Sequence, residues 1–158
     1  MSICFGWIFG VKSMDVYKWY KTERWLYLHH IPIFPQLIKG IIRILWGAVI
    51  PYQADIGEGT VLGYQGLGVV IHKKSKIGKN CTIRQHVTLG GGGGPEGGLP
   101  ILGDNVNVGA NAVILGNVHV GNNVDIGANA VVLRDLPDNC VAVGTPARVI
   151  KIKIDKDI

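Results

Sequence analysis

Five histidines, His29, His30, His72, His86 and His119, are the residues of this chain best suited to move protons near neutral pH, because a free imidazole titrates near about 6.5. Their settings differ. His29 and His30 precede Pro32 in a turn, His72 follows the aliphatic Ile71, and His119 precedes the aliphatic Val120. His86 stands in Gln85-His-Val-Thr-Leu-Gly-Gly91, directly ahead of a stretch running Gly90 to Gly94, then Pro-Glu-Gly-Gly-Leu-Pro100. A base beside backbone amides that a ligand can approach closely suits proton abstraction, with donors ready for a developing oxyanion. His86 is the leading candidate base, with His72 and His119 behind it. The three cysteines, Cys4, Cys81 and Cys140, form no Cys-x-x-Cys pair and point to neither a disulfide framework nor a zinc site.

A repeat must position these residues. An aliphatic residue recurs at every sixth position through Ile77, Ile83 and Leu89, and again through Leu102, Val108, Ile114, Val120, Ile126 and Val132, with Ile56, Leu62 and Ile71 ahead of them. Glycine commonly follows, and four positions on comes a small or β-branched residue: Ser75, Cys81, Val87, Val106, Ala112, Val118, Val124, Ala130. A helical period of about 3.6 cannot satisfy this spacing, and plain strand alternation does not call for the glycines. A six-residue period is that of a parallel β-helix, one short strand and one turn per repeat, three repeats per triangular coil. Cys81 falls on the small inward position, so it reads as packing. His72, His86 and His119 fall in different columns or coils, which leaves no convergent histidine set, and no metal is expected.

The period breaks twice. Leu62 to Ile71 spans nine positions, so the stretch around Tyr64-Gln-Gly-Leu-Gly68 carries extra residues. Leu89 to Leu102 spans thirteen, which expels the glycine-rich segment as a loop. A repeat protein does not need such loops for stacking, so both are candidate functional elements. If Ile71, Leu89 and Ile114 stack on one face, Leu62 and Ile83 stack on the face before it. The Tyr64 bulge and the His86 turn then share one corner of adjacent coils, and the glycine loop leaves from the next corner. Tyr64 joins His86 as a candidate for the chemistry. If three prisms pack side by side, the His86 corner of one can face the loop corner of its neighbour.

Composition divides the 158 residues near Asp55: 11 of the 12 aromatics lie before it and 19 of the 23 glycines after it. The expected organisation is a helical segment over 1–55, a β-helix over 56–151 and a tail over 152–158. Val16, Trp19, Tyr20, Glu23, Leu26 and Tyr27 step at helical spacing, as do Leu37, Ile41, Ile44 and Leu45, with Pro32 and Pro35 between the two runs. Their apolar faces are expected to pack on the prism or on another subunit, or to touch a membrane surface beside Lys18, Lys21, Lys39 and Arg43. At 47% hydrophobic and 17% charged the chain is not a disordered one. Ile31 to Ile50 is interrupted by Lys39 and Arg43, which argues against a spanning helix. The expectation is a cytoplasmic protein, with any membrane contact peripheral. The net charge of +5 comes with no basic run interleaved with aromatics, so no nucleic acid partner is expected.

The segments Gly68-Val-Val-Ile71, Gln85 to Gly91, Ile114-Leu-Gly-Asn-Val118, Gly127-Ala-Asn-Ala-Val-Val132 and Val143-Gly-Thr-Pro-Ala-Arg148 resemble the hexapeptide-repeat acyltransferases, in their serine acetyltransferase-like branch. The resemblance implies a mainly β fold, a left-handed parallel β-helix, a homotrimer, acetyl-CoA as co-substrate and active sites between subunits. It places the CoA arm along Gly109, Ala110, Gly127, Ala128 and the turn holding Thr145 and Pro146; the Gly90 and Gly91 amides are candidate oxyanion or pantetheine contacts because glycine permits close approach, and Arg148 and Lys151 are candidate partners for the CoA phosphates. It also implies a histidine in the bulge and another before the proline closing the loop; here those places hold Tyr64 with Gln65, and Leu99. The N-terminal Leu28-His-His-Ile-Pro and the helix after it resemble short members found with polysaccharide biosynthesis. The expected activity is therefore O-acetylation of a sugar hydroxyl in a surface polysaccharide or its precursor. L-serine O-acetylation and a catalytically silent scaffold are the alternatives.

Overall fold

The computed structural model describes residues 15–92 and 98–154, which form a three-sided parallel β-helix preceded by two helices. Each repeat yields one short strand with its aliphatic residue turned inward. The first coil is β1 (Asp55–Ile56), β2 (Val61–Leu62) and β3 (Val70–Ile71), and the second is β4 (Lys76–Ile77), β5 (Thr82–Ile83) and β6 (Thr88–Gly90). The third is β7 (Ile101–Leu102), β8 (Asn107–Val108) and β9 (Val113–Leu115), and the fourth is β10 (His119–Val120), β11 (Asp125–Ile126) and β12 (Val131–Val132). β13 (Cys140–Val143) and the antiparallel β14 (Arg148–Ile152) follow. The first face stacks β1, β4, β7 and β10; the second stacks β2, β5, β8, β11, β13 and β14; the third stacks β3, β6, β9 and β12. Ile71 pairs with Leu89 and Leu89 with Ile114, while Leu62 pairs with Ile83. The columns counted along the sequence are the columns of the structure.

Because each strand turns one aliphatic residue inward, the coils share a single core. Ile71, Leu89, Ile114 and Val132 are at most 1% exposed, and each such burial stabilises the fold by about 1.5–3 kcal/mol. The small positions fill the corners, from Ser75 and Cys81 to Val124 and Ala130, all buried. Turning each corner requires a left-handed residue, which asparagine adopts at low cost. Asn80, Asn105, Asn123 and Asn139 do so between the first and second faces, with φ between 53° and 57°. The last three form an amide ladder: Asn105 Nδ2 donates to Asn123 Oδ1 at 3.1 Å, and Asn123 Nδ2 to Asn139 Oδ1 at 2.8 Å.

Helix α1 (Val16–Leu28) starts at Asp15, whose carboxylate accepts from the Tyr17 N–H at 3.0 Å. It buries Val16, Tyr20 and Glu23. The Tyr20 hydroxyl donates to Ala54 O and accepts from the Ile56 N–H, tying the helix to the first coil. Helix α2 (Phe34–Trp46) ends at Gly47, whose φ of 61° closes it. Pro35 lies in its first turn rather than in the connection, because no helical partner awaits an N–H there. The expected packing holds for α1 but not within this chain for α2. Its inward stripe is Pro35, Ile38, Ile42 and Trp46, which leaves the more apolar set Leu37, Ile41, Ile44 and Leu45 exposed. The ladder also reaches back beyond Asp55, since Val49 bridges to Val70 and the buried residues of both helices join the prism core. Among the described residues no helix is long and apolar enough to cross a membrane. Cys4 and residues 155–158 of the expected tail lie outside the described residues.

Candidate active site

The residues singled out for chemistry fall on two edges of the prism, on either side of the third face. The edge between the second and third faces carries the Tyr64 bulge and, one coil on, His86. The bulge is a 3-10 turn over Gly63–Gly66 in which Tyr64 and Gln65 have φ of 50° and 60°. Two successive non-glycine residues in this region are held by what surrounds them. Gln65 Oε1 accepts from the Val16 N–H at the start of α1 at 3.4 Å, and the Gly68 N–H donates to Trp46 O at the end of α2 at 3.3 Å. Tyr64 itself is 74% exposed. His86 has φ of 57°, its N–H donates to Leu67 O at 2.9 Å, and its ring lies against Gly68. The bulge and the His86 turn are neighbours, as the column count required.

The same edge continues through Gly109–Ala110, Gly127–Ala128 and Thr145–Pro146. A Cβ on Gly109 would come 2.7 Å from Gly127 C, and one on Gly127 would come 2.8 Å from Val143 Cγ1. Glycine is needed there by coil stacking alone, a reason independent of any ligand. The Thr145 hydroxyl donates to Asn129 O at 3.1 Å. Pro146, Ala147 and Arg148 line a small cleft with Leu133 and Arg134. Lys151 is not part of that lining; it pairs with Val141 further along β14. Gln85 Oε1 on this edge is buried with no hydrogen-bond partner, an acceptor that an incoming N–H would satisfy.

The glycine loop leaves from the edge between the third and first faces. Gly90 closes β6 and accepts from the Gly116 N–H at 3.1 Å, and a Cβ on Gly91 would meet Leu99 Cδ2 at 3.2 Å. Gly93 and Gly94 lie outside the described residues. Within one chain, therefore, His86 and the Gly90 and Gly91 amides lie on different edges of the prism. Of the other histidines, His72 lies on this loop edge one coil earlier, where its Nδ1 accepts from the Lys74 N–H at 3.2 Å, and His119 opens β10 with its ring 3.9 Å from Asp135. The His29 ring stacks on Trp25, and His30 follows it in a left-handed turn. The Cys81 thiol donates to Gly103 O at 3.3 Å, and burial pushes its pKa up, as a packing residue requires. Among the described residues no three His, Cys, Asp or Glu are grouped to hold a metal ion. Sequence reasoning missed Gln65 and Gly68 as supports of the site; the Gly66-x-Gly68 spacing in the bulge was the available signal.

A three-sided solenoid with a decorated edge and an expelled glycine loop defines the class: residues 100–134 match the family described as bacterial transferase hexapeptide (six repeats). The chain resembles these hexapeptide-repeat proteins, and the relatives it matches are serine acetyltransferases. It is 45% identical over 132 residues to the serine acetyltransferase of Synechococcus elongatus, covering 83% of this chain and 54% of that one. Its fold superposes on the Neisseria gonorrhoeae serine acetyltransferase with a TM-score of 0.81 at 32% identity, covering 89% of this chain and 54% of that one. A serine acetyltransferase solved in complex with CoA gives a TM-score of 0.76 at 32% identity, with 85% and 55% covered. The chain thus spans about half the length of the relatives it matches.

Proposed function

We propose that this chain transfers the acetyl group of acetyl-CoA to a hydroxyl, with L-serine as the acceptor. The observation that carries the reading is the 45% identity to a serine acetyltransferase over 132 of its 158 residues, a length that must include His86 and the glycine loop. The sugar acceptor expected from the N-terminal segment finds no support among these relatives. It keeps one argument from the chain itself: Tyr64 and Leu99 stand where the resemblance implies histidines, so the acceptor pocket differs in both proton transfer and shape.

In the proposed reaction His86 takes the acceptor hydroxyl's proton as its oxygen attacks the thioester carbonyl. Loop amides around Gly90 and Gly91 hold the oxyanion. Collapse breaks the carbon–sulfur bond, and the departing CoA thiolate receives the proton from the imidazolium. Tyr64, one coil away, orients the acceptor. The CoA arm lies along Gly109–Ala110 and Gly127–Ala128 toward the Arg148 cleft, with Lys151 near its outer phosphates. Since His86 and the loop sit on different edges of one chain, the site is completed by a neighbouring subunit, and a homotrimer closes three such clefts. The exposed α2 face is a surface that such a neighbour, or a lipid surface, would cover.

The test is CoA release from acetyl-CoA with L-serine and with a panel of sugars, for the parent and for His86→Asn. Turnover with L-serine that falls by about 10²–10⁴-fold in the variant supports the reading. Turnover with sugars alone transfers it to the polysaccharide acceptor, and failure to bind CoA at all sinks both in favour of a silent scaffold.

A further inference from the structure

One coil before the glycine loop, on the same edge of the prism, lies a cleft that the proposed reaction does not use. Lys73, Lys74 and Lys76 line it together with Ser75, Gln53, Asp55 and Tyr27 from the end of α1. The three lysines are exposed. The one carboxylate of the lining is already occupied, because Asp55 Oδ1 receives Arg24 Nη2 at 2.6 Å while Arg24 Nη1 donates to Ala54 O and Tyr52 O. The positive charge of the cleft is therefore not cancelled from within it, and anions are drawn to it.

A second observation points to a ligand. Ser75 is wholly buried and its Oγ has no hydrogen-bond partner; Gln53 Oε1 is likewise buried and unpartnered. Ser75 is the inward, corner-filling residue of its repeat, so of the two it is Gln53 Oε1 that faces a ligand, and such an orphan is unusual because folded proteins pair nearly all such groups. Lysines answer an anion, but an amide oxygen answers only a donor. A bare carboxylate brings none, whereas a phosphorylated polyhydroxy compound brings phosphate oxygens for the ammonium groups and a hydroxyl for Gln53 Oε1. The ring of Tyr27, set 4.8 Å from that of Tyr52, supplies an apolar wall for the carbon skeleton.

We propose that the Lys73–Lys74–Lys76 cleft is a binding site for a phosphorylated polyol or sugar. The site is distinct from the His86 edge and does not depend on which acceptor the enzyme uses.

Calorimetric titration of the full chain with fructose bisphosphate, inorganic phosphate and fructose tests it without reference to turnover. Fructose bisphosphate is expected to bind at physiological salt, at least about tenfold more tightly than inorganic phosphate, and free fructose not at all. Lys73→Gln with Lys74→Gln, both on exposed side chains, should weaken it by about tenfold or more. Gln53→Leu should weaken fructose bisphosphate while leaving inorganic phosphate unchanged. Equal affinity for the sugar phosphate and inorganic phosphate, or binding indifferent to the lysine pair, overturns the proposal, as does absence of binding to all three.

Discussion

His86 and Gly68 occupy the same place on successive coils, and the imidazole of one lies where a side chain of the other would have to be. Both are left-handed, with φ of 57° and 66°, and a Cβ on Gly68 would come 2.6 Å from His86 Cε1. Further along that edge the equivalent places hold Asn111 and Asn129, each with φ of 58°. A histidine therefore stands where the turn accepts asparagine, and its ring is confined by the glycine beneath it.

This relationship separates the backbone role of His86 from its chemical one. His86→Asn keeps a residue suited to the left-handed turn, so urea denaturation should show a stability change within about 0.5 kcal/mol. Acetyl transfer should nonetheless fall by about 10²–10⁴-fold. A variant that keeps its activity would move the base to another group.

Gly68→Ala should disturb both roles. The added methyl group meets the His86 ring and the new residue must hold a positive φ, a combined cost of about 1–3 kcal/mol. Displacing the ring should lower kcat more than it raises the KM for acetyl-CoA. Unchanged kcat in a folded variant would show that the ring position is immaterial.

Arg148 lines the cleft at the end of the His86 edge, where its Nη1 makes only a local bond to Ala147 O at 3.1 Å among its described contacts. Arg148→Ala should raise the KM for acetyl-CoA by about tenfold with little change in kcat, as expected on losing a charged contact to a phosphate. Loss of kcat with an unchanged KM would place the donor elsewhere.

Glu23 makes stability depend on pH. Its two carboxyl oxygens are buried and unpartnered, and burial pushes its pKa from 4.5 up to about 8, with Lys39 pulling the other way. The folded state holds the proton more tightly than the unfolded chain, so the contribution is complete below 4.5 and is lost as pH rises toward about 8. The unfolding free energy should fall steadily as pH rises across that window. Glu23→Gln should flatten the slope; an unaltered slope in that variant would assign it to other groups.

The asparagine ladder predicts a purely structural defect. Asn123→Ala removes a bond to Asn139 and one from Asn105 and leaves alanine at a φ of 56°. It should cost about 2–3 kcal/mol, with activity per folded molecule retained. Asn123→Gly, which relieves the backbone strain, should recover about 1 kcal/mol of that loss. Equal stability of the two variants would show that backbone strain at this turn is negligible.

The solenoid was legible in the sequence because its period is a packing rule. Each strand offers one inward aliphatic residue and each corner one small one, so Ile77 through Val132 could be assigned to faces by counting, and the adjacency of Tyr64 and His86 followed by arithmetic. Apart from the corner asparagines, side-chain pairing carries no such period. Nothing in the spacing told that Gln65 would anchor the bulge to α1, that Gly68 would make room for the His86 ring, or that Ser75 and Gln53 would be left without partners in one cleft. Helical spacing in α2 likewise marked an apolar surface without deciding which part turned inward. The narrower stripe of Pro35, Ile38, Ile42 and Trp46 docks, and Leu37, Ile41, Ile44 and Leu45 remain outside. The sequence alone determined the coil, its columns and the two edges where chemistry could reside, since local periodicity dictates those. Only the tertiary structure decided which side chains meet across coils and which polar atoms stay unsatisfied, because those depend on contacts between residues far apart in the chain.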